Sequence, residues 1–482
     1  MTNIRQSLNL TAQGTIAALA LGTLVTATHA QTIGPDLVNS SLNDVAMNGT
    51  SADGTITGYS CGNVTCNRGD MNLDTSPNTS VRPIVGMNMY RFVPGTLNAF
   101  QQLGQGWGKW VALPINGSHA SCGGDCNGGG VGNMPPNCAD LYSSGFNSPG
   151  GMCPRSQVNV TLGTLAGGRG SNTGEASIST RVQVPTSAVT TQLLGVVYFF
   201  ETVDSLPADA TYVRPGQTVA VNAMNNATSQ QININPATKQ ATLVGGSGAG
   251  GAQLLPAIAR WAELDDDVVL VTADHDDTPN PNASFPNTFI RSRYYLAGKA
   301  TDLGGGSWHY EYNVYNLNSD RAADTLRIPF PSSATLSGVS FHHPRSHSGE
   351  PFTNEAWTAV RSGSELVFAT EKFDTNPNAN AIRWGTMYSF GFTTNVAPDQ
   401  GSLTLELFKP GSTASIQASG MTVPGTPACL ADVTDDGGVT IDDLLEYLDR
   451  FNAGTINADL DGDEGVTIDD LLLYLEHFSA GC

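Results

Sequence analysis

The 482-residue chain is poor in positive charge, with 22 Lys and Arg against 43 Asp and Glu and a formal net charge of −21. No basic surface is available to neutralise a phosphate backbone, which excludes nucleic acid as a partner. Long apolar runs are also missing. The apolar stretch Thr15–Ala27 is shorter than the ~20 residues that a membrane-crossing helix needs. With Arg5 before it and the small residues Thr28-His29-Ala30 after it, it reads as a secretory signal over residues 1–30, cut before Gln31. The mature chain is therefore expected outside the cell or at its surface, with no transmembrane span. Three catalytic signatures are absent as well: there is no G-x-S-x-G elbow, no HExxH and no P-loop.

Export changes how the eight cysteines are read, because an oxidising compartment favours disulfides. Cys122, Cys126, Cys138 and Cys153 lie among glycines without a paired CxxC spacing, which favours bridges over zinc. Connectivity stays open at this level. Local pairs such as Cys61–Cys66 would close short loops, and Cys429–Cys482 would join the two ends of the C-terminal tail.

The negative charge is concentrated. From Cys429 to Cys482 there are 14 Asp and Glu against one Arg, so −13 of the −21 lies in that segment. Ala431–Gly454 aligns with Ala458–Gly481 at a shift of 27, with identity at 16 of 24 positions. Each copy is an acidic loop followed by an amphipathic segment, with Leu444, Leu445, Leu448 and Phe451 in one and Leu471, Leu472, Leu475 and Phe478 in the other. One such unit cannot bury its apolar stripe alone; two can pack together.

Calcium takes six to eight hard oxygens, and a 12-residue loop supplies them from alternate early positions, a carbonyl at seven and a carboxylate at twelve. The first loop offers Asp432, Thr434, Asp436, the Gly438 carbonyl and Asp443; the second offers Asp459, Asp461, Asp463, Gly465 and Asp470. Two Ca2+ sites are expected. The second, with four carboxylates against three, is expected to bind more tightly, even though Glu464 stands where glycine would ease the sharp turn.

These residues resemble the type I dockerin repeat, and the Gly-Cys ending resembles the tails of a family of secreted bacterial proteins. The resemblance covers the last 54 residues, with Thr434, Glu464 and the flanking cysteines departing from the usual pattern. It implies a small helical, EF-hand-like module that attaches its carrier to a cohesin-like or other cell-surface acceptor. Ile441, Asp442, Ile468 and Asp469 fall in the positions that choose the partner. Many dockerins carry enzymes that break down polysaccharides.

The remainder is expected to be mainly β. Glycine, threonine, asparagine and serine are plentiful, and Val182–Leu405 is a run of short alternating segments cut by turn clusters such as Asp276–Asn282 and Asn376–Asn380. The organisation read from this is a Gly/Cys-rich region over 31–180, a β-sandwich-like domain over 181–410, a linker over 411–428 and the tail over 429–482. A short helix is expected around Ala252–Trp261. The clearest strand is WHYEYNVYNLN, with Trp308, Tyr310, Tyr312 and Val314 on one face and His309, Glu311 and Asn313 on the other.

Chemistry-bearing clusters in this region are Asp274-His275-Asp276-Asp277, His342-His343 with His347 and Glu350, and His309 with Glu311. Glu201, Asp204, Glu350 and Glu355 could supply the paired acids of a glycoside hydrolase, and Trp308, Trp357 and Trp384 a sugar-binding face. No spacing singles out a catalytic residue. The leading expectation is a secreted, non-catalytic β-rich protein tethered by its calcium tail; the alternative is a dockerin-bearing carbohydrate-active enzyme. An adhesin or surface-layer component is a third reading.

Overall fold

A computed structural model describes residues 32–75, 82–110, 117–123, 125–128, 132–145, 152–166, 174–247, 254–425, 430–434, 438–460 and 465–481. The expected leader and both Cys429 and Cys482 lie outside these residues. The protein is mainly β, with several sheets.

The first sheet has 12 strands. Its central order is Ala241–Leu243, Ala227–Ile234, Val197–Ser205, Ile84–Phe92, Phe100–Gln105, Val182–Pro185, Ile56–Asn67, Cys138–Tyr142 and Gly117–Ser118, and Leu37–Thr50 also pairs with Ile56–Asn67. This order corrects the expected boundary between 31–180 and 181–410. Val182–Pro185 zips onto Ile56–Tyr59, and Val197–Ser205 runs beside Ile84–Phe92 along its whole length. The change from a glycine-rich to a β-branched composition marks longer strands in the same sheet, not a new domain.

A six-stranded sheet follows, built around Phe289–Gly304, Ser307–Asn316 and Thr386–Thr394, and a five-stranded sheet around Ala323–Pro329, Glu365–Ala369 and Pro398–Leu407. These two share one core, in which Tyr310, Tyr312, Val314 and Phe390 meet Leu326, Phe368, Leu405 and Met421. The strand alternation read from the sequence holds here: Trp308 packs against this core with Tyr310, Tyr312 and Val314. The opposite face is buried as well. Glu311 and Asn313 are each 2% exposed, and Tyr315 and Tyr295 join Phe100, Phe199 and Trp261 in a second core against the first sheet. The arrangement is thus three sheets deep, with the middle sheet buried on both faces.

The linker over 411–428 is corrected for most of its length. Ser415–Pro424 is a strand paired antiparallel with Pro398–Leu407, and Ile416, Ala418, Met421 and Val423 enter the shared core. The sequence hid this because the inward positions change parity. Gly420, at φ +81°, is the extra residue of a bulge between the Ser419 and Met421 pairings, and it moves the buried set from even to odd positions. Two smaller corrections follow the same logic. The expected 252–261 helix starts later, at Ala259–Leu264, after Pro256. Asp276–Pro279, read as turn, belongs to the strand Val269–Pro279, where Asp274 and Asp276 bind Arg293 and Arg291 of the adjacent strand.

Cys66–Cys122 and Cys126–Cys138 form disulfides, so three of the four cysteines weighed for zinc are bridged. Cys61 and Cys66 do not pair with each other. Five residues apart on the strand Ile56–Asn67, they point to opposite faces. Cys61 and Cys153 are buried thiols, and burial pushes Cys153 up to about 12.

The tail forms two helices, Ile441–Asn452 and Ile468–Ala480. Each opens with a capping box in which Thr440 or Thr467 caps the first turn and Asp443 or Asp470 reaches back. The acidic residues in the first turn also complement the helix dipole.

Candidate functional site

The two tail helices meet through a pair of tyrosines. Tyr447 and Tyr474 stack with ring centroids 3.8 Å apart and planes at 4°. Their hydroxyls donate crosswise, Tyr447 to the Ala458 carbonyl at 3.1 Å and Tyr474 to the Ala431 carbonyl at 3.2 Å. Each helix thereby pins the start of the other copy's loop. Leu444, Phe451, Leu471 and Phe478 pack around the stack as expected. Leu445, Leu448, Leu472 and Leu475 do not: they are 55%, 38%, 59% and 40% exposed. The tyrosines occupy equivalent places in the two repeats, and that identity was the sequence signal for the core that the leucine count missed.

Asp443 and Asp470, at position twelve of each loop, are fully buried. Asp443 accepts from the Thr434 amide at 2.9 Å, the Thr434 hydroxyl at 2.8 Å and the Thr440 amide at 2.8 Å. These donors hold its carboxyl well below the usual carboxylate range. Asp470 accepts from the amides of Leu460 at 2.7 Å and Thr467 at 2.6 Å. Positions three and twelve of the first loop are thus brought together. Asp432, Gly438, Asp459 and Gly465 stand in their loops, while Asp436, Asp461 and Asp463 lie outside the described residues. An anionic, pre-oriented carboxylate beside a hydroxyl oxygen is chemistry that fits a hard cation. Of the expected partner-facing residues, Ile441 and Ile468 are each 60% exposed, and Asp442 and Asp469 are exposed beside them.

In the β region the expected clusters disperse. His275 is held between Asp277 and Ser319, and Asp277 binds Arg321. His342 bonds the Gln102 carbonyl, His343 the Pro344 carbonyl, and His347 lies between the carbonyls of Ser348 and Arg181. Burial pushes His347 down to about 4. His309 and Glu311 share a face, but the first bonds Thr393 and the second accepts the Ala99 amide. Among the described residues no three His, Cys, Asp or Glu side chains converge as a metal site. The Arg68-Gly69-Asp70 triplet is also tied down, Arg68 to the Ser121 carbonyl and Asp70 to the Gly34 amide.

Of the four candidate acids, Glu201 and Asp204 are buried and Glu355 is exposed. Trp357 and Trp384 are each 4% exposed and belong to the cores. Glu201 receives Asn88, Tyr90, Tyr315 and the Ala257 amide, at 2.6 to 3.1 Å. Asn88 turns its oxygen to Arg155, at 2.9 Å. Arg155 also donates to the carbonyls of Met87, Gly106 and Gly385. This chain of contacts joins the first sheet to the middle sheet through a buried cation and a buried anion with an amide between them. Gly385, at φ +65°, is required here, since a Cβ would stand 2.8 Å from the Arg155 guanidinium. Sequence reading could list Glu201 but had no signal for Arg155, most of whose partners are backbone carbonyls.

Around Arg155 and the segment 344–354 lie open spaces. One of about 630 Å3 is bordered by Asp53, Glu175, Gln183 and Arg345, and one of about 220 Å3 by Arg155, Asp320, Arg383 and Lys409.

No family model matches the chain, and no curated protein matches it. Among solved structures it is similar to the KRT10-binding region domain of the pneumococcal serine-rich repeat protein PsrP, at 12% identity and a TM-score of 0.16, over 32% of this chain and 98% of that one. It is also similar to the serine-rich repeat adhesion glycoprotein Srr1 from Streptococcus agalactiae, at 9% identity and a TM-score of 0.19, over 81% of this chain and 97% of that one. TM-scores this low do not establish a common fold.

Proposed function

We propose that the chain is an exported, non-catalytic β-rich binding protein held on a scaffold or cell surface by a dockerin-like tail with two calcium loops. The observation that carries this reading is the pair of matching apolar stripes left open on the tail. Ile441, Leu445 and Leu448 on one helix, and Ile468, Leu472 and Leu475 on the other, are 38% to 60% exposed, while tyrosines fill the core between the helices. Single exposed apolar residues are ordinary, but six in two equivalent stripes support the reading of a surface for a protein partner. Asp442 and Asp469 beside Ile441 and Ile468 would supply the polar rim.

Asp432, Thr434, Asp436, Gly438 and Asp443 would hold one calcium ion, and Asp459, Asp461, Asp463, Gly465 and Asp470 the other. Bound calcium would neutralise the loop carboxylates and lock the start of each helix. The exposed stripes would then be presented on a rigid pair. Their acceptor would be a cohesin-like module or another surface protein.

The test is calcium titration of the mature chain by calorimetry and circular dichroism. Two sites with a gain of helical signal are expected; no heat and no spectral change would sink the calcium reading. A panel of polysaccharides incubated with the chain tests the other half. Sugar release that a single Glu or Asp substitution abolishes would replace the binding reading with a hydrolase.

A further inference from the structure

We propose that the two loops of the tail take up calcium cooperatively, and that Tyr447 and Tyr474 are the residues that couple them. The inference rests on the calcium reading of the loops and adds how one site governs the other.

The wiring is crossed. In the first copy Asp443, at position twelve, closes its loop onto the Thr434 amide and hydroxyl and caps the helix Ile441–Asn452. Tyr447 stands four residues further on, about one helical turn. Its hydroxyl crosses to the other copy and donates to the Ala458 carbonyl, 3.1 Å away. Ala458 immediately precedes Asp459, the first ligand of the second loop. The second copy repeats the path in reverse. Asp470 accepts the Leu460 amide and caps the helix Ile468–Ala480. Four residues on, Tyr474 donates to the carbonyl of Ala431, which immediately precedes Asp432. Both anchoring alanines are buried, at 1% exposure or less.

The stacked rings add a second link. With centroids 3.8 Å apart and planes at 4°, they lie flat on each other only when both helices hold their places. Phe451 and Phe478 brace the two rings from their own helices, at 6.2 and 5.9 Å. Arg450, by contrast, ties the first helix back to its own loop, at the Val433 carbonyl.

Ordering a loop costs backbone entropy. Calcium in one loop fixes the carboxylate that starts its helix, and the helix fixes its tyrosine. The tyrosine in turn fixes the backbone from which the first carboxylate of the other loop projects. The second ion therefore meets a loop whose ordering is partly complete, and binds more tightly. By linkage the gain is the same whichever loop fills first.

The experiment is calorimetric titration of calcium into the mature chain and into two single-loop variants, Asp432→Ala and Asp459→Ala. The coupling factor is the product of the two association constants of the unmodified chain divided by the product of the two single-loop constants. A factor of about tenfold or more is expected, and a loop too weak to fill alone makes it larger still. Tyr447→Phe with Tyr474→Phe keeps both rings and removes both hydroxyls. In that background the factor is expected to fall by about fivefold or more, since each hydrogen bond contributes roughly two- to tenfold. Either single Phe variant is expected to lower it less, and covers the case in which the double variant fails to fold. The sign separates this device from simple destabilisation. In a tail that folds all or none, weakening the fold would raise the coupling, because the first ion would do more of the folding. A factor near one in the unmodified chain, or a factor unchanged or raised in the Phe variants, would overturn the proposal and leave both calcium sites standing. No binding in any chain would sink the calcium reading, and the coupling with it.

Discussion

The β region and the tail solve the same physical problem at different scales. In the β region the middle sheet is covered on both faces, so polar side chains such as Glu311 and Asn313 are enclosed and find partners across a sheet interface. Glu311 takes the Ala99 amide, Asn313 bonds the Phe100 carbonyl, and Glu201 collects four donors. The tail has only two helices and a core centred on Tyr447 and Tyr474. A unit this small buries little apolar surface, and calcium in the proposed loops would contribute folding energy there. The comparison teaches that buried charge in the large region is a matter of packing, whereas on the proposed calcium reading charge in the small one is a matter of ligation.

Calcium removal should separate the two regions most sharply. With a chelator present, the helical signal and the environment of the stacked tyrosines are expected to be lost, while the β-sheet signal and its urea midpoint stay put. A shared loss of both signals would break the comparison.

Next in size is Arg155→Met. Removing a buried cation that bridges two sheets through Asn88 to Glu201 is expected to cost about 3–5 kcal/mol in urea unfolding of the β region. Calcium affinity of the tail should not change, because no partner of Arg155 lies there.

The pH dependence should differ in sign between the regions. Burial raises Asp204 to about 7 from an ordinary value of 3.8, so the folded state holds a proton that the unfolded state has released. The contribution of Asp204 is fully present below about pH 4 and is lost as the pH rises to about 7. The fall is up to about 4 kcal/mol, as set by the size of the shift. Asp209 and Asp36, raised by the same cause, act in the same direction. Urea midpoints at pH 5 and pH 8 check this, and Asp204→Asn is expected to flatten the difference. The tail should go the other way, because its carboxylates must be ionised to hold calcium.

The smallest effect on stability, and the most specific one, is expected from Ile441→Asp combined with Ile468→Asp. Both positions are exposed, so thermal unfolding should shift by no more than about 0.5 kcal/mol. Calcium-dependent retention on an acceptor should fall severely. Unchanged retention would move the docking surface away from these stripes.

The local patterns were legible in the sequence wherever a residue's neighbours are set by its own chain. The period-2 alternation of Trp308–Val314 placed its two faces correctly, because side chains of a strand must alternate. The repeat at a shift of 27 located both tail helices and both buried position-twelve carboxylates, because each loop and its helix are contiguous. Tertiary structure decided what could not be local. Val182–Pro185 joins the first sheet through partners more than a hundred residues away. Ser415–Pro424 became a strand when the bulge at Gly420 matched it to a neighbour. Arg155 owes its place to backbone carbonyls and an aromatic ring supplied by several distant segments, and no spacing along a chain encodes a contact of that kind.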